Sequence, residues 1–234
     1  MIKQAMILAA GMGSRMEHLT KAVPKPMVVV DGITLIERHL RYLLKNDIQK
    51  IVMNTYYKAQ VLEDFVMSLS IAKEFEISFS REEELLGTAG GIKNALPLLG
   101  KDPFFVINND SIFIDEEPAF AQLEKKWDPS SMLMLMLLTK KHNSFGYWKN
   151  GDFDMNELGQ LNQANSVREF INPGMYITDY RLFEGYKEKK LEFFPTVFGD
   201  LMKADKLYGC EYNGRWYHIG DLKAHELFSK NSYN

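Results

Sequence analysis

Leu8-Ala9-Ala10-Gly11-Met12-Gly13-Ser14-Arg15-Met16 is the stretch on which the reading of this chain turns. Residues 2–8 are mostly apolar and spell a buried strand, which delivers the chain to a turn of small residues. Small side chains let backbone N–H groups close around a phosphate chain. Arg15 adds a planar fork of donors suited to phosphate oxygens. Further on, Pro24-Lys25-Pro26 holds a lysine in a stiff extended segment, a point charge aimed at one place. A tight turn with two solvated cations would also fit Gly-x-Gly alone. A dinucleotide-binding turn wants a third glycine where Met16 stands and a helix running straight on, which residues 19–26 do not resemble, although Asp31 falls at a suitable distance for a ribose contact. A Walker loop is excluded, because Gly-Lys-Ser/Thr does not occur.

Outward from this turn the first half alternates strand and helix. Strands are predicted over residues 2–8, 27–30, 48–54, 75–79 and 104–108, and helices over 33–44, 59–67 and 88–99. That alternation predicts a mostly parallel sheet with helices on both faces, with ligands beyond the carboxyl ends of the strands. The Gly11 loop, the Gly87 loop and Asp110 all follow strands, so all three should gather at that edge. The second half is less regular. Strands are expected over 132–139, 146–148, 170–178, 207–212 and 216–219, helices over 179–186, 198–204 and 222–230, and a hairpin or mobile loop over 151–165. The Met/Leu run 132–138 reads as a core strand.

Composition narrows the classes. With 234 residues, 46% of them hydrophobic, the chain can bury a full core as one domain. A net charge of −3 lacks the basic face of a nucleic-acid binder. Cys210 is the single cysteine, so no intramolecular disulfide forms, which fits a cytoplasmic location. No apolar run is long enough to span a bilayer. These features argue against nucleic-acid and membrane partners, and a monomer or small homo-oligomer is expected.

Residues 8–15, followed by Thr20 and Pro24-Lys25-Pro26-Met27, closely resemble the signature of the nucleotide-sugar pyrophosphorylases, the sugar-1-phosphate nucleotidyltransferases. The resemblance continues through Glu83-Glu84-Leu85-Leu86-Gly87-Thr88-Ala89-Gly90-Gly91, through Phe105-Val106-Ile107-Asn108-Asn109-Asp110, at Gly174 and through residues 214–220, so it covers nearly the whole chain. Its compact length and segments 95–100 and 150–153 look most like the N-acetylmuramate-1-phosphate uridylyltransferases, with the mannose-1-phosphate guanylyltransferases second. The resemblance implies an α/β, Rossmann-like three-layer sandwich with a mixed, mainly parallel central sheet. Residues 1–115 would form a nucleotide-binding half and 116–234 a sugar-binding half of one domain.

It also implies the site. Leu8, Ala10, Gly11, Met12, Gly13 and Ser14 would surround the phosphates of an NTP (UTP or GTP) with Arg15. Lys25 would contact the phosphate of a sugar 1-phosphate. Gly87 and Thr88, with Glu83, would lie by the base and ribose, and Asn109, Asp152, Asn172 and Gly174 by the sugar. Asp110 would hold Mg²⁺. The alternative for Asp110 is a turn aspartate that caps the following segment.

Three departures from the family pattern stand out. In Trp216-Tyr217-His218-Ile219-Gly220-Asp221, histidine occupies the place of a second metal aspartate, and Asp221 stands where threonine is usual. His218 would ligate the metal, hold a metal-bound water or leave Asp221 to substitute; a structural histidine is the alternative. Imidazole suits Mn²⁺ better than Mg²⁺. Asn109 replaces a common glycine. No Glu-Lys-Pro segment precedes Gly174, leaving Arg168 or Asn172 for that role. The run Glu82-Glu83-Glu84 reads as mostly solvated, and His142, Phe145, Tyr147 and Trp148 as sugar-flanking or buried aromatics.

Overall fold

The alternation of inward-facing residues along each strand builds two apolar layers around one sheet. In the computed structural model, which describes residues 1–163 and 165–231, eight strands form this sheet. They are β1 (Gln4–Leu8), β2 (Lys50–Thr55), β3 (Glu76–Arg81), β4 (Phe104–Asn108), β5 (Met134–Lys140), β6 (Phe170–Ile171), β7 (Met175–Thr178) and β8 (Leu207–Glu211). Ala5 and Ile7, Ile51 and Met53, and Phe105 and Ile107 point to one side. Met6, Val52, Phe104 and Val106 point to the other, as the two-residue period of a strand requires. In β5, Leu135 and Leu137 join the first cluster and Met134, Met136 and Leu138 the second. The Met/Leu run is thus core on both faces.

The first layer holds helices α1 (Leu35–Lys45), α2 (Ala59–Ser68) and α4 (Ala119–Lys126). The second holds α3 (Thr88–Leu99) and α5 (Phe198–Lys203). Helix α1 starts where a capping pair dictates: the Thr34 hydroxyl accepts from the Glu37 amide at 3.2 Å, and Leu35, Ile36, Leu40 and Leu43 form the buried stripe. A third cluster, Met16, Val28, Val30, Leu35, Ile112, Tyr217, Ile219 and Phe228, lies under the Gly11 loop. Helix α6 (Leu222–Asn231) closes the chain.

Spatially the strands run β8-β5-(β6/β7)-β4-β1-β2-β3. All are parallel except β6 and β7, which pair antiparallel with β5 and, for β7, with β4. This is the expected mixed, mainly parallel α/β sandwich. One sheet runs through both halves of the chain.

The departures from expectation are local. The strand expected over 170–178 is interrupted at Asn172-Pro173-Gly174, where the Asn172 side-chain oxygen accepts from the Gly174 amide at 2.8 Å and Gly174 has φ +78°. This asparagine turn and a proline without an N–H break the ladder. A strand expected over 146–148 is instead Ser144–Phe145, in a small sheet with Ser111–Ile114 and Arg215–His218. The strand Ser111–Ile114 and helix α4 fall where the sequence pattern predicts no element. Residues 151–165 do contain a hairpin, Asp154–Met155 against Leu161–Asn162; Ala164 lies outside the described residues.

Candidate active site

The chain reverses direction across the sheet between β1 and β4: β2 and β3 build out on one side of β1, then β4 returns to the other. Such a switch opens a crevice at the carboxyl ends of the two strands. Here it is a cleft of about 430 Å³ whose lining includes Leu8, Ala10, Gly11, Gly13, Ser14, Arg15, Lys25, Gly87, Thr88, Asn109 and Asp110. The three loops expected at this edge meet there. Met12 does not line the cleft and is half exposed.

The phosphate-type loop is shaped from below. Gly13 has φ +65°, and a Cβ there would lie 2.9 Å from both Lys25 Cβ and Thr20 Cγ2. Its carbonyl accepts from the Met16 amide at 2.8 Å and the Thr20 hydroxyl at 3.0 Å. Met16, in the position of the missing third glycine, is fully buried in the third cluster and anchors the loop. Its neighbour Arg15 is left exposed at the mouth of the cleft.

Across the loop, Lys25 Nζ donates to Asp110 Oδ2 at 2.6 Å, and His218 Nε2 lies 3.4 Å from the same oxygen. Burial opposes the charge of Asp110, but the Lys25 ammonium, with His218 beside it, holds its carboxyl well below the usual carboxylate range. The small sheet delivers His218, since His218 registers with Ser111 and the Ile219 amide donates to the Asp110 carbonyl at 2.7 Å. His218 Nδ1 faces the Gly146 carbonyl at 3.3 Å. Both ring nitrogens of His218 thus point at oxygen acceptors. Behind Asp110, the buried His39 Nε2 donates to the Asn109 carbonyl at 3.0 Å, fixing the turn. Burial lowers the His39 pKa to about 4.

Residues outside the motif complete the cleft. Asn54 accepts from the Ala9 amide at 2.8 Å and donates to Glu82 Oε1 at 2.7 Å, while Glu82 Oε2 accepts from the Leu86 amide at 3.1 Å. A buried bridge thus ties the Gly11 loop to the Gly87 loop. Glu82 is therefore interior, contrary to its reading as part of a solvated run. Glu83 is exposed and borders a separate cavity with Arg81 and Lys189, so the structure does not bring it to the Gly87 side of the cleft. Glu192 accepts from the Thr88 amide at 3.2 Å, capping α3 at the cleft wall. Neither Asn54 nor Glu192 sits in a recognisable motif; polar residues at the end of an apolar strand were the one available signal for Asn54.

Two further cavities adjoin. One, of about 350 Å³, is lined by Arg15, Asn108, Tyr147, Trp148, Lys149, Asp152, Asn172, Trp216, His218 and Asp221 among others. Asp152 accepts from the Tyr147 hydroxyl at 2.9 Å and the Asn172 amide at 2.9 Å, which counter the upward push of burial on its carboxyl. The other, of about 270 Å³, has Asn172, Gly174 and Tyr176 in its wall. Asn108 borders all three cavities. A Cβ on Gly174 would come within 2.3 Å of Asn108 Nδ2, so only glycine lets that side chain lie there. Asn109, by contrast, faces the first cleft, with its Nδ2 donating to the Leu8 carbonyl at 2.6 Å, away from the Asp152 cavity where a sugar role would place it. Arg168 lines none of the three.

Asp221 does not join Asp110. Its oxygens accept from the Ala224 amide at 2.9 Å and Trp148 Nε1 at 3.2 Å, and no three His, Cys, Asp or Glu side chains cluster as a metal site among the described residues. Five buried side-chain polar atoms have no hydrogen-bond partner among the described residues; three of them, Asn109 Oδ1, Trp216 Nε1 and Tyr176 Oη, belong to residues lining these cavities, one in each. Unpaired buried groups are costly; these three atoms are out of reach of solvent, and it is the shared Asn108 that makes the three cavities contiguous.

An α/β sheet with a phosphate-type loop, a buried Lys–Asp pair and adjoining polar cavities at its switch point defines an enzyme that handles phosphorylated substrates. The Nucleotidyl transferase family model matches residues 4–231, and the chain belongs to that family, to the sugar-1-phosphate nucleotidyltransferases. It is 32% identical over 228 residues to the N-acetylmuramate alpha-1-phosphate uridylyltransferase of Caulobacter vibrioides, covering 95% of this chain and 93% of the relative. It is 31% identical to the enzyme of that name from Neisseria meningitidis, covering 94% of each. Among solved structures, HddC from Yersinia pseudotuberculosis in complex with GMP-PN superposes with a TM-score of 0.81 at 23% identity over the full length of both chains. UDP-glucose pyrophosphorylase in complex with UDP-glucose gives 0.82 at 20%, covering 100% of this chain and 99% of the other. These two share the fold.

Proposed function

We propose that the chain transfers uridine monophosphate from UTP to N-acetylmuramate 1-phosphate, releasing pyrophosphate. The observation that carries the chemistry is the meeting of Arg15, Lys25 and Asp110 in one cleft at the switch point. The substrate pair is supported by the two relatives at 32% and 31% identity along nearly their whole length. A sugar-phosphate oxygen attacks the α-phosphorus and the bond to pyrophosphate breaks. The nucleophile is already ionised and the leaving group departs without a proton, so no general base is required. Positioning and charge neutralisation do the work.

In this reading the Gly11–Ser14 backbone and Arg15 hold the triphosphate, Gly87 and Thr88 face the base and ribose, and Lys25 draws in the sugar phosphate. The sugar ring occupies the cavity of Asp152 and Asn172. Asp110 and His218 would hold a Mg²⁺ ion. One carboxylate and one imidazole converging on a point fit an ion that takes its remaining ligands from phosphate and water. When bound, it supplies positive charge against the phosphates. The imidazole also admits Mn²⁺.

The test is pyrophosphate release with UTP, GTP, CTP and TTP against a panel of sugar 1-phosphates, with Mg²⁺ or Mn²⁺. Release from UTP that depends on N-acetylmuramate 1-phosphate is expected. Wild-type turnover by Asp110→Ala would refute the site. A second reading, GTP with mannose 1-phosphate, draws on the 29% identity to mannose-1-phosphate guanyltransferase 2 of Candida glabrata, of which the chain covers 62%. A third, a non-catalytic nucleotide-sugar sensor, is motivated by His218 and predicts binding without turnover under either metal.

A further inference from the structure

Trp148 lines the Asp152 cavity, is half exposed, and has its orientation fixed from outside. Its Nε1 donates to Asp221 Oδ2 at 3.2 Å, and Lys223 Nζ lies over one face, 4.1 Å from a ring centroid. Lys223 does not line the cavity, so the ring surface turned inward is the part it leaves uncovered. The segment that carries the indole is seated on the same stretch of chain. Gly146 has φ +75°, a Cβ there would lie 2.5 Å from the His218 carbonyl oxygen, and the Gly146 carbonyl faces His218 Nδ1 at 3.3 Å. An indole held at two points, with apolar surface left in water beside a cavity, is preorganised to receive a ligand. The clasp also gives Asp221 a task at the position where threonine is usual.

The ring that reaches Trp148 is not the base. Gly87 and Thr88 line the nucleotide cleft and not this cavity, which joins that cleft at Arg15 and Asn108. A pyranose presents hydroxyls at its rim and C–H groups on its faces. The Asp152 carboxylate answers the hydroxyls, since each of its oxygens accepts more than one hydrogen bond, and the indole answers a C–H face. Resting on the function proposed above, we propose that Trp148 is a platform on which the pyranose ring stacks, with Asp221 and Lys223 as positioning residues that hold the indole in place. Trp148 then acts on binding of the sugar and not on the phosphoryl group transferred.

The experiment is calorimetric binding of UDP-N-acetylmuramate against UDP, and of GDP-mannose against GDP, since each pair differs only by the sugar. Trp148 is half exposed and tolerates truncation. Trp148→Ala should weaken the nucleotide sugar about tenfold and leave the diphosphate unchanged. Trp148→Phe, which keeps a ring, should weaken it less. Asp221→Thr still caps α6 at Ala224 but is too short to hold the indole, so it should give part of the Trp148→Ala loss. In the Trp148→Phe background, where no indole N–H remains, Asp221→Thr should add nothing; a merely structural Asp221 would give the same loss in both backgrounds. Indole emission should move to shorter wavelength with the nucleotide sugar and not with the diphosphate, and Trp148→Phe should abolish the shift. Equal losses for nucleotide sugar and diphosphate in Trp148→Ala, or none for either, would overturn the platform while leaving the nucleotidyl-transfer reading in place. Binding of the guanosine pair alone would overturn the uridylyl reading, and GDP-mannose then decides the platform. Failure of both nucleotide sugars to bind the wild-type chain would overturn the two together.

Discussion

Lys25 and Asp110 form an ion pair at 2.6 Å with side chains only 8% and 17% exposed. Each is thus neutralised by the other in the cleft both are proposed to serve. Lys25→Ala would strand a buried carboxylate, at a cost of about 3–5 kcal/mol in stability, and would lower turnover by on the order of 10²-fold or more. Lys25→Met combined with Asp110→Asn should recover most of the stability in urea melts and none of the pyrophosphate release. Recovery of activity would show that the pair is a structural strut.

His39 makes stability depend on pH. Its pKa is about 4 in the fold and 6.5 in the unfolded chain, so between those values only the unfolded state binds the proton. The contribution is complete above pH 6.5 and is lost as pH falls toward 4, by up to roughly 3 kcal/mol. Urea midpoints at pH 7.5 and 5 should separate for the wild-type chain and draw together for His39→Gln.

Asn54 bridges Ala9 and Glu82 at 2.8 and 2.7 Å. Asn54→Leu would leave the buried Ala9 amide and Glu82 Oε1 unpaired, costing about 1–3 kcal/mol, and would loosen the two loops against each other. Nucleotide binding by calorimetry should weaken without loss of the fold, as seen by circular dichroism.

Gly13→Ala places a methyl at φ +65° and within 2.9 Å of Lys25 Cβ. Strain of about 1–3 kcal/mol follows. Because the clash falls on Lys25, the KM for the sugar phosphate should rise more than that for the NTP in steady-state assays.

Chelation by EDTA should stop turnover. His218→Asp should raise the Mg²⁺ to Mn²⁺ activity ratio, since it exchanges a nitrogen donor for oxygen. An unchanged ratio would remove His218 from the metal.

The sheet was legible because its strands are apolar on both faces and punctuated by glycine, proline and asparagine. The loop at Gly11 and the place of Asp110 followed from the strands before them. What escaped depends on contacts distant in sequence. Glu82 looks like its solvated neighbours Glu83 and Glu84 until Asn54, 28 residues away, is seen to receive it. Asp221 carries the right chemistry, but its oxygens are spent on Ala224 and Trp148. The broken strand at Asn172 was written in turn residues that the apolar run on either side obscured.

That strand also limits how the chain can be divided. β7 lies between β4 and β5, hydrogen-bonded to both. A fragment ending near residue 115 would present β4 as a bare apolar edge, which invites aggregation. Grafting a different acceptor specificity onto this scaffold must therefore carry β7 and its partner edges across intact. The cavities beside Asn108 are better altered one side chain at a time than by exchanging whole segments.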